Sequence, residues 1–126
     1  MYKITLNDRQ LACMKMALED YFRTRMGQYF DLATDMAYVD YKEGNNCVER
    51  RNNLQSMFES AYRNIMNPGH RYNTVSQEAR IVEDMWQVIR HKIWLDNPNR
   101  AEWSVDSREA LPVAFEPLIK VERIEE

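Results

Sequence analysis

Two tryptophans and an arginine in the second half of the chain have the clearest potential for binding chemistry. Trp86, Arg90 and Trp94 follow one another at four-residue intervals, so on a helix the guanidinium can lie between two indole rings, with Gln87 and His91 beside them. Such a surface can hold a nucleobase and its phosphate, or contact a protein partner as a binding hot spot. The plainer interpretation is a structural ladder that seals the helix against the C-terminal tail.

Arg25 is a second candidate cation, because it falls inside the apolar stripe of the predicted first helix. A buried guanidinium must reach past the core to solvent, pair with a carboxylate of another helix, or bind an anionic ligand. The stripe consists of mostly apolar side chains at helical spacing: Leu11, Met14, Leu18, Tyr21, Phe22, Tyr29, Leu32, Ala33 and Met36.

The sequence predicts neither catalytic residues nor a metal site, and no cofactor. Asp31 and Asp35 lie on the outer side of the first predicted helix, a pattern more typical of a solvated face than of a site with converging oxygen ligands. His91 has no cysteine, serine or acidic residue near it in sequence that would complete a catalytic set. A magnesium-dependent nucleotide hydrolase using Glu19, Asp31 and Asp35 is therefore the third of three functional hypotheses.

Residues 67–73 read Asn-Pro-Gly-His-Arg-Tyr-Asn and are predicted to connect two helices, since Pro-Gly marks turns. The alternative is an anion-binding loop, in which main-chain amides near Gly69 act together with His70 and Arg71. No Walker or Gly-x-Gly-x-x-Gly pattern accompanies these residues. Arg71 is nevertheless a candidate ligand-binding residue.

Three helices are expected to position these side chains, in an all-α three-helix bundle. The predicted helices are residues 8–40, 50–67 and 75–96, and the first begins with a capping box made by Asn7 and Gln10. Residues 97–126 are predicted to form an extended tail, because prolines recur in it and scattered apolar residues can anchor it. Residues 2–6 and 118–124 alternate like strands and can pair as a two-stranded ribbon, within or between chains.

Composition indicates one ordinary globular domain. The chain has 126 residues, 44% of them hydrophobic, and a formal net charge of −3. This charge disfavours a nucleic-acid-binding module, and no stretch approaches the ~20 apolar residues of a membrane span. Cys13 and Cys47 form no CxxC pattern and no signal peptide is evident, so a reduced cytoplasmic setting is expected. Abundant aromatic residues and the predicted edge strand favour a homo-oligomer.

Two segments resemble small helical accessory proteins of tailed bacteriophages and prophages. They are Tyr-Phe-Arg-Thr-Arg-Met-Gly-Gln at 21–28, continued by Tyr-Phe-Asp at 29–31, and Trp-Gln-Val-Ile-Arg-His at 86–91. The resemblance spans the three predicted helices and implies a non-catalytic protein made in a bacterial cytoplasm. In that class, antagonists of host defence are common, and Arg25, Gln28, Arg90 and His91 are the positions at which a shared site would lie.

The leading hypothesis is therefore a phage or prophage binding protein that sequesters a small anionic ligand of nucleotide type. Arg25, Arg90 and His91 would lie near phosphate, with Trp86 or Trp94 stacking on the base. The alternative is an inhibitor or adaptor of a host protein, for example of anti-CRISPR type, that uses Trp86, Trp94 and Trp103 as hot spots.

Overall fold

The computed structural model is mostly helical and describes residues 1–39, 41–43, 45–66 and 75–125. Within these residues there is no β-strand, and the predicted helical class is confirmed. The elements in chain order are α1 (Asp8–Arg25), α2 (Phe30–Ala37), α3 (Cys47–Ala61) with a π-helical turn directly after it (Tyr62–Met66), α4 (Gln77–Asp96) and a 3₁₀ turn (Val105–Ser107).

Helix α1 begins as the sequence predicts. The side chain of Asn7 accepts a hydrogen bond from the main-chain N–H of Gln10 at 2.8 Å, and the side chain of Gln10 accepts one from Asn7 at 2.9 Å. This reciprocal pair is a capping box, which satisfies main-chain donors that the first turn of a helix leaves open.

The prediction of one helix over residues 8–40 is wrong, because α1 ends at Arg25 and a second helix begins at Phe30. Gly27 has a φ of 79°, which is left-handed, and Gln28 donates its N–H to the carbonyl of Arg23 at 2.8 Å. These features define a Schellman C-cap, the commonest way in which glycine ends a helix. The apolar periodicity resumes in α2, and for this reason the sequence reads as one continuous helix.

The π-helical turn after α3 packs closely on this glycine. A β-carbon at Gly27 would lie 2.6 Å from Cε1 of the Tyr62 ring, so the left-handed conformation and the close approach of the ring both require glycine there. The predicted second helix, residues 50–67, in fact starts at Cys47, since the side chain of Asn46 caps it by accepting the N–H of Glu49 at 3.1 Å.

The chain divides into two compact units. One comprises Asp20–Ser76, where α2 packs against α3. The other comprises Met1–Glu19 together with Gln77–Glu126, so that α4, the tail and the first turns of α1 belong to it. Among the described residues, the buried apolar side chains are Phe22, Ala33, Ala37 and Cys47 in the first unit, and Ala79, Trp86 and Ile89 in the second.

The predicted ribbon of the two termini does not form within the described part of the chain, and its formation between two chains stays a prediction. Residues 2–6 and 118–124 are not strands, and among the described residues no main-chain hydrogen bond joins them. An isolated two-stranded ribbon is marginal in water, which explains why alternation alone does not produce one. The two ends meet instead through side chains, with Arg123 Nη2 lying 3.5 Å from a carboxylate oxygen of Asp8.

Candidate functional site

The aromatic ladder of α4 forms in part, and its first half is buried. The guanidinium carbon of Arg90 lies 4.6 Å from the ring centroid of Trp86, and the two residues are only 7% and 9% exposed. Trp94 does not share this cation. Arg100 lies over the Trp94 ring at 5.2 Å, and the His91 ring stacks on it with centroids 5.9 Å apart. Two separate cation–π contacts therefore replace the predicted sandwich.

The charge of Arg90 is matched within the same unit. Its Nε lies 3.8 Å from a carboxylate oxygen of Asp106, a half-buried residue of the 3₁₀ turn, and Nε makes no hydrogen bond in the described part of the chain. An anion that bound at Arg90 would have to displace this carboxylate. The buried guanidinium thus holds the tail against α4 in the structure as it stands.

A row of polar side chains on α4, which we call the α4 stripe, binds the tail. It consists of Asp84, Gln87, His91 and Trp94, and their spacing of three, four and three residues places them on one face of the helix. All four form hydrogen bonds with main-chain groups of the tail, in reverse order along the two segments. The tail therefore runs antiparallel to α4.

Gln87 contacts the tail as a neighbouring strand would. Its side-chain amide donates to the carbonyl of Leu111 at 3.1 Å and accepts the N–H of the same residue at 3.1 Å. One side chain thereby satisfies both main-chain groups of a residue that lies outside regular secondary structure.

Asp84 anchors the next residues of the tail. This carboxylate is 4% exposed, and it accepts the N–H groups of Val113 at 2.9 Å and Ala114 at 3.0 Å. Pro112 lies between the two contact points and has no N–H to satisfy, so the position of the proline costs no hydrogen bond. Hydrogen bonds to a charged acceptor are among the stronger ones in proteins, and they compensate this buried charge.

The other end of the stripe holds the start of the tail. Trp94 donates its indole N–H to the carbonyl of Ala101 at 3.0 Å, and Nδ1 of His91 lies 3.1 Å from the carbonyl oxygen of Asp106. Because a carbonyl only accepts, Nδ1 of His91 must carry the proton in this contact. Two predicted ligand residues are thus already bonded to the chain's own backbone.

Arg25 and Gln28 belong to the other compact unit. Arg25 is exposed at the end of α1, with its guanidinium carbon 5.0 Å from the ring centroid of Tyr21. The sequence placed Arg25 inside an apolar stripe, but α1 ends there, and its side chain is consequently open to solvent. Gln28 accepts a hydrogen bond from Nη1 of Arg23 at 2.8 Å.

Arg23 is the residue at this turn that the sequence did not single out. Its Nε lies 3.0 Å from a carboxylate oxygen of Asp31, eight residues further along the chain. A continuous helix would hold these positions about 12 Å apart along its axis, whereas the turn at Gly27 brings them together. Only the recognition of Gly27 as a helix end would have predicted the pair.

Tyr29 follows the turn, and its surroundings shift the pKa of its hydroxyl. Its ring lies 5.7 Å from that of Phe58 and 5.9 Å from that of Tyr62, measured between centroids. Burial raises the pKa of the Tyr29 hydroxyl above the ordinary value of 10.0, and nearby Tyr62 raises it further, while the positive charge of Arg25 lowers it. Arg25 is therefore close enough to Tyr29 for its charge to be felt there.

Arg71 lies outside the described residues. Among the described residues, no three histidine, cysteine or acidic side chains lie close enough to hold a metal ion. In that same part of the chain, no helix has the length and apolar character needed to cross a membrane.

Comparisons with protein-family models, with curated proteins and with solved structures each found no significant match.

Proposed function

We propose that the chain is a non-catalytic binding protein that presents apolar side chains of its tail to a protein partner. The observation that supports this proposal is the exposure of Trp103, Leu111 and Phe115, at 91%, 74% and 95%, on a segment that α4 holds in place. We call these three residues the outer row. Large apolar side chains that remain exposed on an anchored segment are typical of interaction sites.

The anchoring makes the outer row suitable for recognition. A flexible tail would lose conformational freedom on binding, and that loss would weaken the complex. Here the Gln87 amide fixes Leu111 from both main-chain groups, and Asp84 fixes the two residues after Pro112. The tail therefore meets a partner with its backbone already ordered.

The partner that fits is a protein surface with apolar pockets. Tryptophan is the residue most enriched at binding hot spots, and a buried aromatic anchor is typical of the centre of an interface. The other two tryptophans serve a different purpose, since Trp86 is buried and Trp94 is bonded to Ala101. Of the three hot spots predicted from sequence, Trp103 is the one left for a partner.

The resemblance to phage accessory proteins suggests where such a partner would be found. We propose a host protein in a bacterial cytoplasm, with the chain acting as an inhibitor or adaptor in defence antagonism. A tail that presents exposed apolar side chains suits an inhibitor that occupies a surface rather than one that performs chemistry.

The test is affinity capture from a bacterial lysate, followed by calorimetric titration of the captured protein with purified variants. Trp103→Ala and Phe115→Ala should each weaken binding at least tenfold, which is about 1.4 kcal/mol. Met57→Ala is the matched control, because Met57 is also a large exposed apolar residue but lies on α3. Equal binding by wild type and both tail variants, or equal loss with the control, would refute the proposal.

A second candidate function is the binding of a nucleotide-type anion near Arg25. The specific observation is that the Arg25 guanidinium is exposed over the Tyr21 ring and forms no ion pair with any described residue. Arg90 and His91 belong to the other compact unit, where both contact the tail. Thermal unfolding against a panel of nucleotides tests this candidate, since a ligand at 100 times its dissociation constant adds about 2.7 kcal/mol. A shift that Arg25→Ala abolishes would support it, and no shift would refute it.

A further inference from the structure

The contacts of the α4 stripe recognise the path of the tail rather than its side chains. Among the described residues, every hydrogen bond that Asp84, Gln87, His91 and Trp94 make with the tail is to a main-chain N–H or carbonyl. The side chains of the outer row point away into solvent. The stripe would therefore bind the same segment equally well if it came from another copy of the chain.

The connection between α4 and the tail is short, and its contacts are local. The N–H of Asn97 donates to the carbonyl of Trp94 and that of Arg100 to the carbonyl of Asn97, each at 3.2 Å, and the Arg100 guanidinium lies over the Trp94 ring. The N–H of Asn99 is bonded to the side chain of Asn97 at 3.0 Å, and Nη1 of Arg100 donates to the carbonyl of Leu95 at 3.0 Å. Pro98 disfavours helical backbone at the residue before it, and α4 ends at Asp96. We call residues 97–100 the hinge.

The direction of the tail determines what an open hinge would produce. In the closed form the tail reverses at the hinge and runs antiparallel to its own α4. With the hinge extended, the tail continues away from its own α4 and can lie antiparallel on the α4 of a second copy. That second helix then points in the opposite direction, and its tail returns to the first copy. The arrangement is a twofold-symmetric exchange, in which each interface is equivalent.

We propose that two copies of this chain exchange their tails, with residues 101–114 of each copy bound by the α4 stripe of the other. All the hydrogen bonds of the stripe are remade in the exchanged form, and so is the pair between Arg90 and Asp106. What is lost is confined to the hinge. Exchange of an identical segment is a low-cost route to a dimer for this reason.

This proposal does not rest on the proposed function. The outer row is exposed in both the closed single chain and the exchanged dimer, because the main chain of the tail faces the stripe in both forms. A chain that exchanges tails without binding a host protein, or one that does the reverse, would separate the two proposals.

The decisive experiment uses the full, unaltered chain. Labelled and unlabelled copies are unfolded, mixed in equal amounts and refolded together. The dimer is isolated by gel filtration, and isotope-filtered nuclear Overhauser spectra of it are recorded. The proposal predicts cross-peaks between the side-chain amide of Gln87 in one copy and the main-chain amide of Leu111 in the other. Absence of a dimer at millimolar concentration would overturn it. A dimer in which these cross-peaks arise only within one chain would overturn it as well.

A hinge variant gives an independent measurement. Arg100→Ala removes the hydrogen bond to Leu95 and the contact with the Trp94 ring, both of which the closed turn makes. Two hinges open in each dimer, so the effect of one bond counts twice and the dimerisation constant should rise about 30-fold. Arg108→Ala is the matched control, since it removes an exposed arginine of the tail outside the hinge. A dimerisation constant unchanged by Arg100→Ala, or changed equally by both variants, would contradict the exchange.

Discussion

The turn that ends α1 and the reversal of the chain after α4 are stabilised in different ways. After α1, the turn is closed by main-chain hydrogen bonds around Gly27, so it depends on one residue that can adopt a left-handed conformation. After α4, the returning tail is held by four side chains of the helix. The turn after α1 therefore has one main-chain conformation, which Gly27 determines. The reversal after α4 depends instead on a helix surface that binds a peptide segment and can release it.

The largest effect on stability is expected from removing the Asp84 carboxylate, which holds the tail after the reversal at the end of α4. Asp84→Ala leaves the N–H groups of Val113 and Ala114 without their acceptor, and bonds to a charged acceptor are worth about 1.5–3 kcal/mol each. The free energy of unfolding in urea should fall by about 3 kcal/mol. Glu109→Ala, at an exposed position of the same tail, should change it by less than about 0.5 kcal/mol. Similar values for the two variants would show that the carboxylate does not hold the tail.

Arg90 and Arg25 offer the next comparison, because both lie beside an aromatic ring but only Arg90 is buried. Arg90→Ala removes the contact with Trp86, the pair with Asp106 and buried packing, at a cost of about 2 kcal/mol. Arg25→Ala should stay within about 0.5 kcal/mol, as exposed substitutions usually do. Unfolding curves of the two variants measure the difference. Equal losses would contradict the distinction between a structural and an exposed arginine.

Gly27→Ala tests the turn that ends α1. The substitution places a β-carbon at a φ of 79° and 2.6 Å from the Tyr62 ring, so it should destabilise the fold by about 1–2 kcal/mol. In the middle of a helix the same change would stabilise by about 1 kcal/mol, and the sign of the effect therefore separates a turn from a continuous helix. The double variant with Tyr62→Ala should recover the part of the loss that comes from the ring.

The smallest expected effect is a loss of stability at alkaline pH, and it arises from Tyr29, which follows the turn at the end of α1. Burial, with a further contribution from Tyr62, keeps the native pKa of Tyr29 above the value of 10.0 expected for the unfolded chain. Above pH 10 the unfolded state loses this proton first, so the stability that is fully present below pH 10 declines as the pH rises through the native pKa. Tyr29→Phe should flatten the decline, whereas Tyr2→Phe, at a fully exposed site, should leave it unchanged.

The sequence predicted the parts of the fold that depend on interactions between residues a few positions apart. The capping box at Asn7 and the helical stretch of α4 follow from residues close together in sequence. The helix end at Gly27 was missed, because the apolar period continues through the turn and hides it. A single glycine is compatible with both a helix interior and a C-cap, and only the packing of Tyr62 against it decides between them.

The candidate site was predicted in its residues more than in its arrangement. Trp86 and Arg90 do form a cation–π pair, but Asp84 and Arg100 were not foreseen, since their partners are in the tail or across the hinge. The spacing of Asp84 and Gln87, two polar residues on the face that meets the tail, was the signal in the sequence. Their main-chain partners carry no side-chain pattern, so no motif could have identified them.

Hydrogen exchange at the amides of Leu111, Val113 and Ala114 tests the central claim most directly. These residues lie outside regular secondary structure, so any protection must come from Gln87 and Asp84. The account predicts that all three amides exchange at least about 100-fold more slowly than in an unstructured peptide, and that Asp84→Ala abolishes the protection of Val113 and Ala114. Exchange of these amides at the unprotected rate in the unaltered chain would show that α4 does not hold the tail, and would contradict the account.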